Sequence, residues 1–163
     1  MERLPPFPAS TTLLMTLALL ASGGCARTGG GGAAGGLPSA ALDQAIGQAI
    51  GDPSTCVLLA DKTSGKVLYR YGEAFNCLRG VPACDRPGYL NATQAIALAA
   101  TPGGRGASCP STADGSRTVG WAEGVVSARR GDLVYSALME GQTALPGHEM
   151  AARLDDAFRK AGL

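Results

Sequence analysis

The chain has 163 residues, of which 45% are hydrophobic, and a formal net charge of +1, so it is long enough for one domain with a substantial core. Its charges form no basic stripe and no acidic tail, which excludes nucleic acid as an implied partner. No metal or other cofactor is predicted, because the chain has a single histidine and its cysteines lack CxxC spacing.

The first feature along the chain is an apolar run, residues 13–21, that leads into Cys25. About ten apolar residues are too few to span a bilayer, which needs about twenty, but they fit the core of a secretory signal. The small residues Ser22, Gly23 and Gly24 stand directly before Cys25. This arrangement resembles bacterial lipoprotein precursors, in which such a Cys is diacylated and becomes the new N-terminus.

The resemblance implies a signal peptide at residues 1–24 and a lipid anchor at Cys25, since several acyl chains on one Cys give stable anchoring. Ala26 follows Cys25, which implies sorting to the outer membrane, facing the periplasm, in a Gram-negative cell. The alternative is an ordinary signal peptide cut nearby, with Cys25 a spare thiol. Residues 25–37 are rich in glycine and predict a flexible tether, which leaves residues 38–163 as a single domain.

The domain is predicted to begin with a helix and a hairpin. Ser39 is the expected helix cap, and apolar residues at helical spacing continue to Ile50. Residues 56–61 are apolar on both faces, and residues 66–71 alternate after a turn, which predicts an antiparallel hairpin. Val67, Tyr69 and Tyr71 are expected on one face of its second strand.

The middle of the domain predicts little regular structure. Residues 72–88 predict a loop because they are rich in Gly, Pro and Cys. A short helix is expected from Asn91, as its cap, to Ala100. Residues 101–116 predict a second loop.

The C-terminal part predicts two strands and a helix. Residues 118–127 alternate, with Gly120 among the small residues on a face that suits close helix packing. Residues 133–140 form the return strand, residues 141–145 are a candidate fifth strand, and Pro146 starts the last helix. The sequence therefore predicts an α+β fold, in which an antiparallel sheet of four or five strands carries the N- and C-terminal helices on one face, in two layers.

Four cysteines follow Cys25, namely Cys56, Cys77, Cys84 and Cys109. An even number in an exported chain predicts two disulfides, and three pairings are open. Cys77 and Cys84 bracket a short loop and can close it locally, which would leave Cys56 to pair with Cys109 across a long loop.

The two ends of the domain are similar to those of penicillin-recognising serine hydrolases, the D-Ala-D-Ala carboxypeptidases and serine β-lactamases. That family has an N-terminal helix before a hairpin of the type VxVxDxxTGxVLY, and residues 57–69 read VLLADKTSGKVLY. The family closes with an inner strand, a hairpin and a C-terminal helix, which residues 119–126, residues 131–138 and the last helix match. The resemblance implies the α+β fold and a place outside the cytoplasmic membrane.

The catalytic motifs of that family are absent from this chain. No Ser is followed by a Lys three residues later, and residues 112–115 stand where Lys-Thr-Gly would precede the inner strand. We therefore expect a non-catalytic binding or cell-envelope module, with peptidoglycan or an envelope protein as partner. One alternative is a reduced serine hydrolase acting on peptidoglycan peptides or β-lactams, with Ser111 as a loop nucleophile. Another is a roadblock or profilin-like interaction domain, whose plan is also helix, hairpin, helix, strands and helix.

Two further sets of residues have side chains that could form a site. Tyr69, Tyr71 and Trp121 are candidates for a ligand-facing aromatic platform, with core packing as the alternative. His148 and Glu149 do not complete a zinc-protease HExxH motif, because position 152 is Ala. Glu149 is instead expected to favour the dipole of the last helix.

Overall fold

The computed structural model of the chain describes residues 36–99, 105–126 and 132–163. The predicted signal peptide and Cys25 lie outside these residues, as do most of the predicted tether, the helix end expected at Ala100 and the strand end expected at Ser127. None of the helices in the described ranges combines the length and apolar character that a membrane crossing requires.

The described residues form an α+β domain, as predicted. The helices are α1 (Ser39–Ile50), α2 (Ala74–Leu78), α3 (Ala92–Ile96) and α4 (Gly147–Lys160). The strands are β1 (Thr55–Asp61), β2 (Val67–Tyr71), β3 (Val81–Pro82), β4 (Tyr89–Leu90), β5 (Arg105–Pro110), β6 (Thr118–Val125) and β7 (Leu133–Gly141).

Five strands make one antiparallel sheet in the order β2-β1-β7-β6-β5, and β3 pairs with β4 in a separate ribbon. The five-stranded sheet is confirmed, but its fifth strand is β5, which lies inside the predicted loop of residues 101–116. Residues 141–145, the candidate for that strand, follow the end of β7 instead. The small residues of β5 hide the strand signal, because they give little hydrophobic alternation.

Helices cover both faces of the sheet. The terminal helices α1 and α4 pack on one face, as predicted, which we call the terminal-helix face. The other face is covered by residues 74–99, which we call the cap. Most of the predicted loop of residues 72–88 therefore belongs to the cap. This covering follows from β1, whose residues are buried on both faces. Alternate β1 residues belong to two different clusters, with Val57 and Leu59 under the terminal helices and Cys56 and Leu58 under the cap.

The helix caps differ in part from the expected ones. The N-cap of α1 is Pro38, and no side chain caps this helix, so the cap predicted at Ser39 is wrong by one residue. Asn91 caps α3 as predicted, and the side-chain oxygen of Gln94 accepts a hydrogen bond from the backbone N–H of Asn91. The helix ends at Ile96 and continues only as a turn.

A β-bulge changes which side chains of β2 share a face. Leu59 pairs with Tyr69 while the next residue, Ala60, pairs with Val67, so Leu68 is an extra residue in β2. Val67 therefore packs under the cap, whereas Tyr69 lies on the terminal-helix face. The prediction that both share one face is wrong for Val67.

Two disulfides are present, as predicted, but they join Cys56 to Cys77 and Cys84 to Cys109. The local pairing of Cys77 with Cys84 is wrong. Cys77 lies on α2, which packs over β1, whereas Cys84 follows β3 and reaches the edge strand β5. Each disulfide therefore ties the cap to a different strand of the sheet.

The close helix packing predicted for the small-residue face of β6 is confirmed. A Cβ added to Gly120 would lie 2.0 Å from the carbonyl oxygen of Leu145, just before α4. At the start of α4, the backbone N–H of Gly147 donates to the hydroxyl of Ser108 on β5 at 2.8 Å. A residue of another strand thus satisfies one of the free N–H groups at this helix end.

Candidate functional site

Three large apolar side chains of the cap point into solvent. Phe75 is 70% exposed, Leu78 64% and Tyr89 72%, and within the described ranges no other large hydrophobic side chain is exposed. Isolated exposed apolar residues are ordinary, but a group of them marks an interaction site. We call these three residues the apolar patch.

The members of the apolar patch come from adjacent parts of the cap. Phe75 and Leu78 are three residues apart on α2, so they share a face of this helix. The Cβ of Tyr89 lies 3.9 Å from the position that a Cβ on Gly80 would take, and Gly80 is only two residues beyond Leu78. The guanidinium of Arg79 lies 5.9 Å from the centre of the Phe75 ring, within range of a cation–π contact.

The register of the β3–β4 ribbon explains why Tyr89 is exposed. Val81 pairs with Leu90, and Pro82 pairs with Tyr89. Successive pairs of a ribbon point to opposite sides. Val81 is buried in the core under the cap, so the pair of Pro82 and Tyr89 faces outward. The indole N–H of Trp121 on β6 donates to the carbonyl of Pro82 at 2.8 Å, which fixes the ribbon to the sheet.

The apolar patch is carried on a fixed support. One disulfide holds α2 to β1 through Cys77, and the other holds the ribbon to β5 through Cys84. The side-chain amide of Asn76 donates to the carbonyl of Pro53 at 2.8 Å. A surface that is already rigid loses less conformational entropy when a partner binds.

A buried carboxylate links the cap to the end of β7. Glu140 accepts hydrogen bonds from Nε of Arg117 and from the hydroxyl of Ser111, both at 2.7 Å, and Nη2 of Arg79 lies 3.0 Å from its Oε2. Arg117 contributes most to holding the pKa of Glu140 at about 2, with Ser111 and Arg79 adding to it, although burial opposes this shift. Arg79, which contacts the apolar patch, is thereby paired with the sheet.

A second group of polar residues crosses the sheet under the cap. Arg105, Glu123 and Ser136 are cross-strand neighbours on β5, β6 and β7, so their side chains share the cap face. We call these three the polar row. Glu123 is 2% exposed and Ser136 fully buried, and in the part of the chain that the structure describes no hydrogen bond reaches Oε2 of Glu123 or the hydroxyl of Ser136.

Burial dominates the electrostatics of Glu123. It raises the pKa of this carboxyl to about 7, while the charge of Arg86 opposes the shift and that of Asp85 adds to it. Nη1 of Arg105 lies 3.5 Å from Oε2 of Glu123, and the same guanidinium contacts Asp85. Arg105 is thus shared between a buried carboxyl group and a partly exposed one.

The predicted aromatic platform does not form, because its members lie in different places. Tyr69 is buried on the terminal-helix face, where its hydroxyl donates to Asp43 at 2.7 Å, and burial raises its pKa. Tyr71 is partly buried, with its hydroxyl beside Gly47 of α1. Trp121 is buried under the cap on the opposite side of the sheet. The core-packing interpretation is therefore the better one for Tyr69 and Trp121.

His148 and Glu149 occupy the first turn of α4, as predicted. Glu149 forms an ion pair with Arg153 four residues later, at 2.5 Å. Across residues 36–99, 105–126 and 132–163, no cluster of three or more His, Cys, Asp and Glu side chains is placed to hold a metal ion.

Sequence patterns did not predict the apolar patch or the polar row. Phe75 and Leu78 fall in a segment predicted as a loop, where an exposed apolar residue attracts no notice. For Glu123 a signal was available, since it is an acidic residue within an otherwise apolar or small-residue strand, and a buried charge of that kind is rare. Ser136 carries no comparable signal.

Comparisons of this chain with protein-family models, with curated proteins and with solved structures found no match.

Proposed function

We propose that this chain is an exported, membrane-anchored, non-catalytic module of the cell envelope that binds a protein partner through the apolar patch. The observation that carries the proposal is the exposure of Phe75, Leu78 and Tyr89 on a cap held by two disulfides. An exposed group of aliphatic and aromatic side chains suits an apolar protein surface better than a glycan, which needs polar partners.

The two disulfides support the export part of the proposal. Disulfides persist in oxidising compartments and are rare in the cytosol. They agree with the signal peptide predicted at residues 1–24 and with a lipid anchor at Cys25. In this proposal the glycine-rich tether holds the domain away from the membrane, which is the outer membrane, on its periplasmic side, in a Gram-negative cell.

Kinship to the penicillin-recognising fold is part of the same proposal. What supports it is the shared order of elements, with α1 before the β1–β2 hairpin, then β6 paired with β7, and α4 at the end on the same face as α1. The roadblock and profilin-like plan is supported in the same way, because α3 lies between the first hairpin and the later strands. Both kinships are compatible with a binding role.

The enzymatic alternative centres on Ser111. Its hydroxyl donates to Glu140, so a carboxylate lies where a general base would be needed. A carboxylate whose pKa is about 2 is a poor proton acceptor near neutral pH, and Arg117 already occupies it. A fluorescent penicillin tests this alternative, because covalent labelling that is lost in Ser111→Ala would establish a reduced serine hydrolase.

The binding proposal is tested by photo-crosslinking in intact envelopes. A photoreactive phenylalanine derivative at position 89 should yield one discrete protein adduct, and the yield should fall in a Phe75→Ser variant. The matched control places the same group at Lys160, which is exposed on α4, and should not give that adduct. Adducts to peptidoglycan from position 89, or equal yields from both positions, would contradict a protein partner at the patch.

A further inference from the structure

Within the described residues, the buried acid of the polar row faces two arginines and one other carboxylate. Arg105 on β5 and Arg86 in the segment after Cys84 are the cations that face Glu123, and Asp85 is the other anion. β7 contributes the uncharged Ser136. The side chains of α3 packed into the same face are apolar, namely Ala92 and Ile96.

The guanidinium of Arg105 is shared between Glu123 and a second carboxylate. Its Nη1 lies 3.5 Å from Oε2 of Glu123, but this contact does not have the geometry of a hydrogen bond. The same guanidinium makes a close contact with Asp85, which also pairs with Arg86 at 3.3 Å. A neutral Glu123 is consistent with this arrangement, since an ionised buried carboxylate requires a close, hydrogen-bonded partner.

The segment that carries Asp85 is anchored at both ends and exposed between them. Cys84 is fixed to β5 by its disulfide and has a positive φ of 62°, which is uncommon for a residue with a side chain. At the other end, Gly88 leads into β4 and accepts a hydrogen bond from the backbone of Ala83 at 3.1 Å. Residues 85–88 lie at the surface. The backbone N–H of Asp85 donates to the carbonyl of Ala83 at 2.8 Å, and the side chain of Asp85 joins the segment to β5 through Arg105.

We propose that Glu123 is a proton-operated latch on residues 85–88. While Glu123 is protonated and neutral, Arg105 forms an ion pair with Asp85, and this pair holds the segment close to β5. When Glu123 releases its proton to solvent, the buried negative charge draws Arg105 inward and away from Asp85, and the side chains of Asp85 and Arg86 rearrange on the surface of β5. The latch concerns only this chain, so it stands or falls independently of any partner.

Carbon and amide NMR of the mature chain between pH 5 and pH 9 tests the latch. The side-chain carboxyl carbon of Glu123 and the amides of residues 85–88 should titrate with one common midpoint near pH 7, the ordinary pKa of Glu being 4.5. In Glu123→Gln the amide titration should vanish. His148, the one histidine of the chain, packs with its backbone against Gly106, next to Arg105, so the same spectra are recorded on His148→Gln as a control.

A second variant keeps the test decisive if Glu123→Gln alters the core. Asp85→Asn changes only a surface side chain and should abolish the titration of the amides of residues 85–88, while the Glu123 carboxyl still titrates. Glu149→Gln, on α4, is the control and should leave both signals as they are in the parent. The latch is overturned if the segment titrates in Glu123→Gln, if it stays constant while Glu123 titrates, or if Glu123 does not titrate between pH 5 and pH 9.

Discussion

Arg117 binds Glu140 through two parallel hydrogen bonds, Nε to Oε1 at 2.7 Å and Nη2 to Oε2 at 2.8 Å. This bidentate pair joins the turn before β6 to the end of β7. Arg79, which belongs to the cap, forms an ion pair with the same carboxylate. Charge-assisted, bidentate contacts of this kind are among the stronger polar contacts in proteins. The pair of Arg117 with Glu140 therefore predicts how the free energy of unfolding of the domain depends on pH.

Glu140→Gln should lower the free energy of unfolding by about 2 kcal/mol at pH 7. This is less than the full pKa shift corresponds to, because solvent screens the partly exposed Arg117. The folded-state pKa of Glu140, about 2, is below its ordinary value of 4.5. Its contribution is thus present above pH 4.5 and lost as the pH falls through 2. Urea unfolding of the parent and of Glu140→Gln at pH 7 and pH 2 measures this difference in stability. An equal difference at the two pH values would contradict the prediction. Glu149→Gln is the control and should cost only about 0.3–0.5 kcal/mol.

Glu123→Gln should have the opposite effect. Because burial raises the folded-state pKa of Glu123 to about 7 from 4.5, its contribution to stability is fully present below pH 4.5 and is lost as the pH rises through 7. The variant should be more stable than the parent by roughly 2 kcal/mol at pH 8 and equal to it near pH 4. Thermal unfolding across this range checks the sign, and a variant that is less stable at pH 8 would refute it.

The disulfide connectivity makes a separate prediction. Non-reducing peptide mapping should recover Cys56 linked to Cys77 and Cys84 linked to Cys109. Replacing either pair by serine should cost about 3 kcal/mol of stability, since each bond closes a loop of more than twenty residues. A peptide that links Cys77 to Cys84, or four free thiols in the exported protein, would contradict the account of the cap.

The lipid anchor is tested by Cys25→Ser. If Cys25 is acylated, the variant should accumulate as an unprocessed precursor and lose the acyl-dependent partition of the mature chain into detergent. Ser22→Ala is a matched control, because it keeps a small residue before the cysteine and should be processed as usual. Unchanged processing and membrane fractionation of Cys25→Ser would show that the anchor proposal is wrong.

Sequence patterns predicted the parts of the fold that depend on one stretch of chain. The buried run of β1, the alternation after it and Asn91 as a helix cap are local signals, and each led to the right element. β5 was missed because its strand identity comes from pairing with β6, and its residues Gly106 and Ser108 serve the close approach of α4. Its own composition gives no sign of either role.

The candidate site was harder to predict, because it depends on contacts between distant segments. Which cysteine pairs with which is decided by how the cap lies on the sheet, and Cys77 and Cys84 are closer in sequence than either is to its partner. Phe75 and Leu78 are notable only because they stay exposed, which no sequence pattern indicates. Glu123 is the exception, since one acid in a buried strand already suggests an unusual environment.

The yield of the adduct from position 89 tests the central claim, binding through the apolar patch, most directly. The parent chain should form a discrete protein adduct in intact envelopes, and Phe75→Ser should reduce its yield at least tenfold, about what the loss of 1.4 kcal/mol of binding free energy produces. Disulfide mapping of the same preparation shows that the cap of the variant is intact. An adduct of undiminished yield in the variant with an intact cap would contradict the patch as the binding surface.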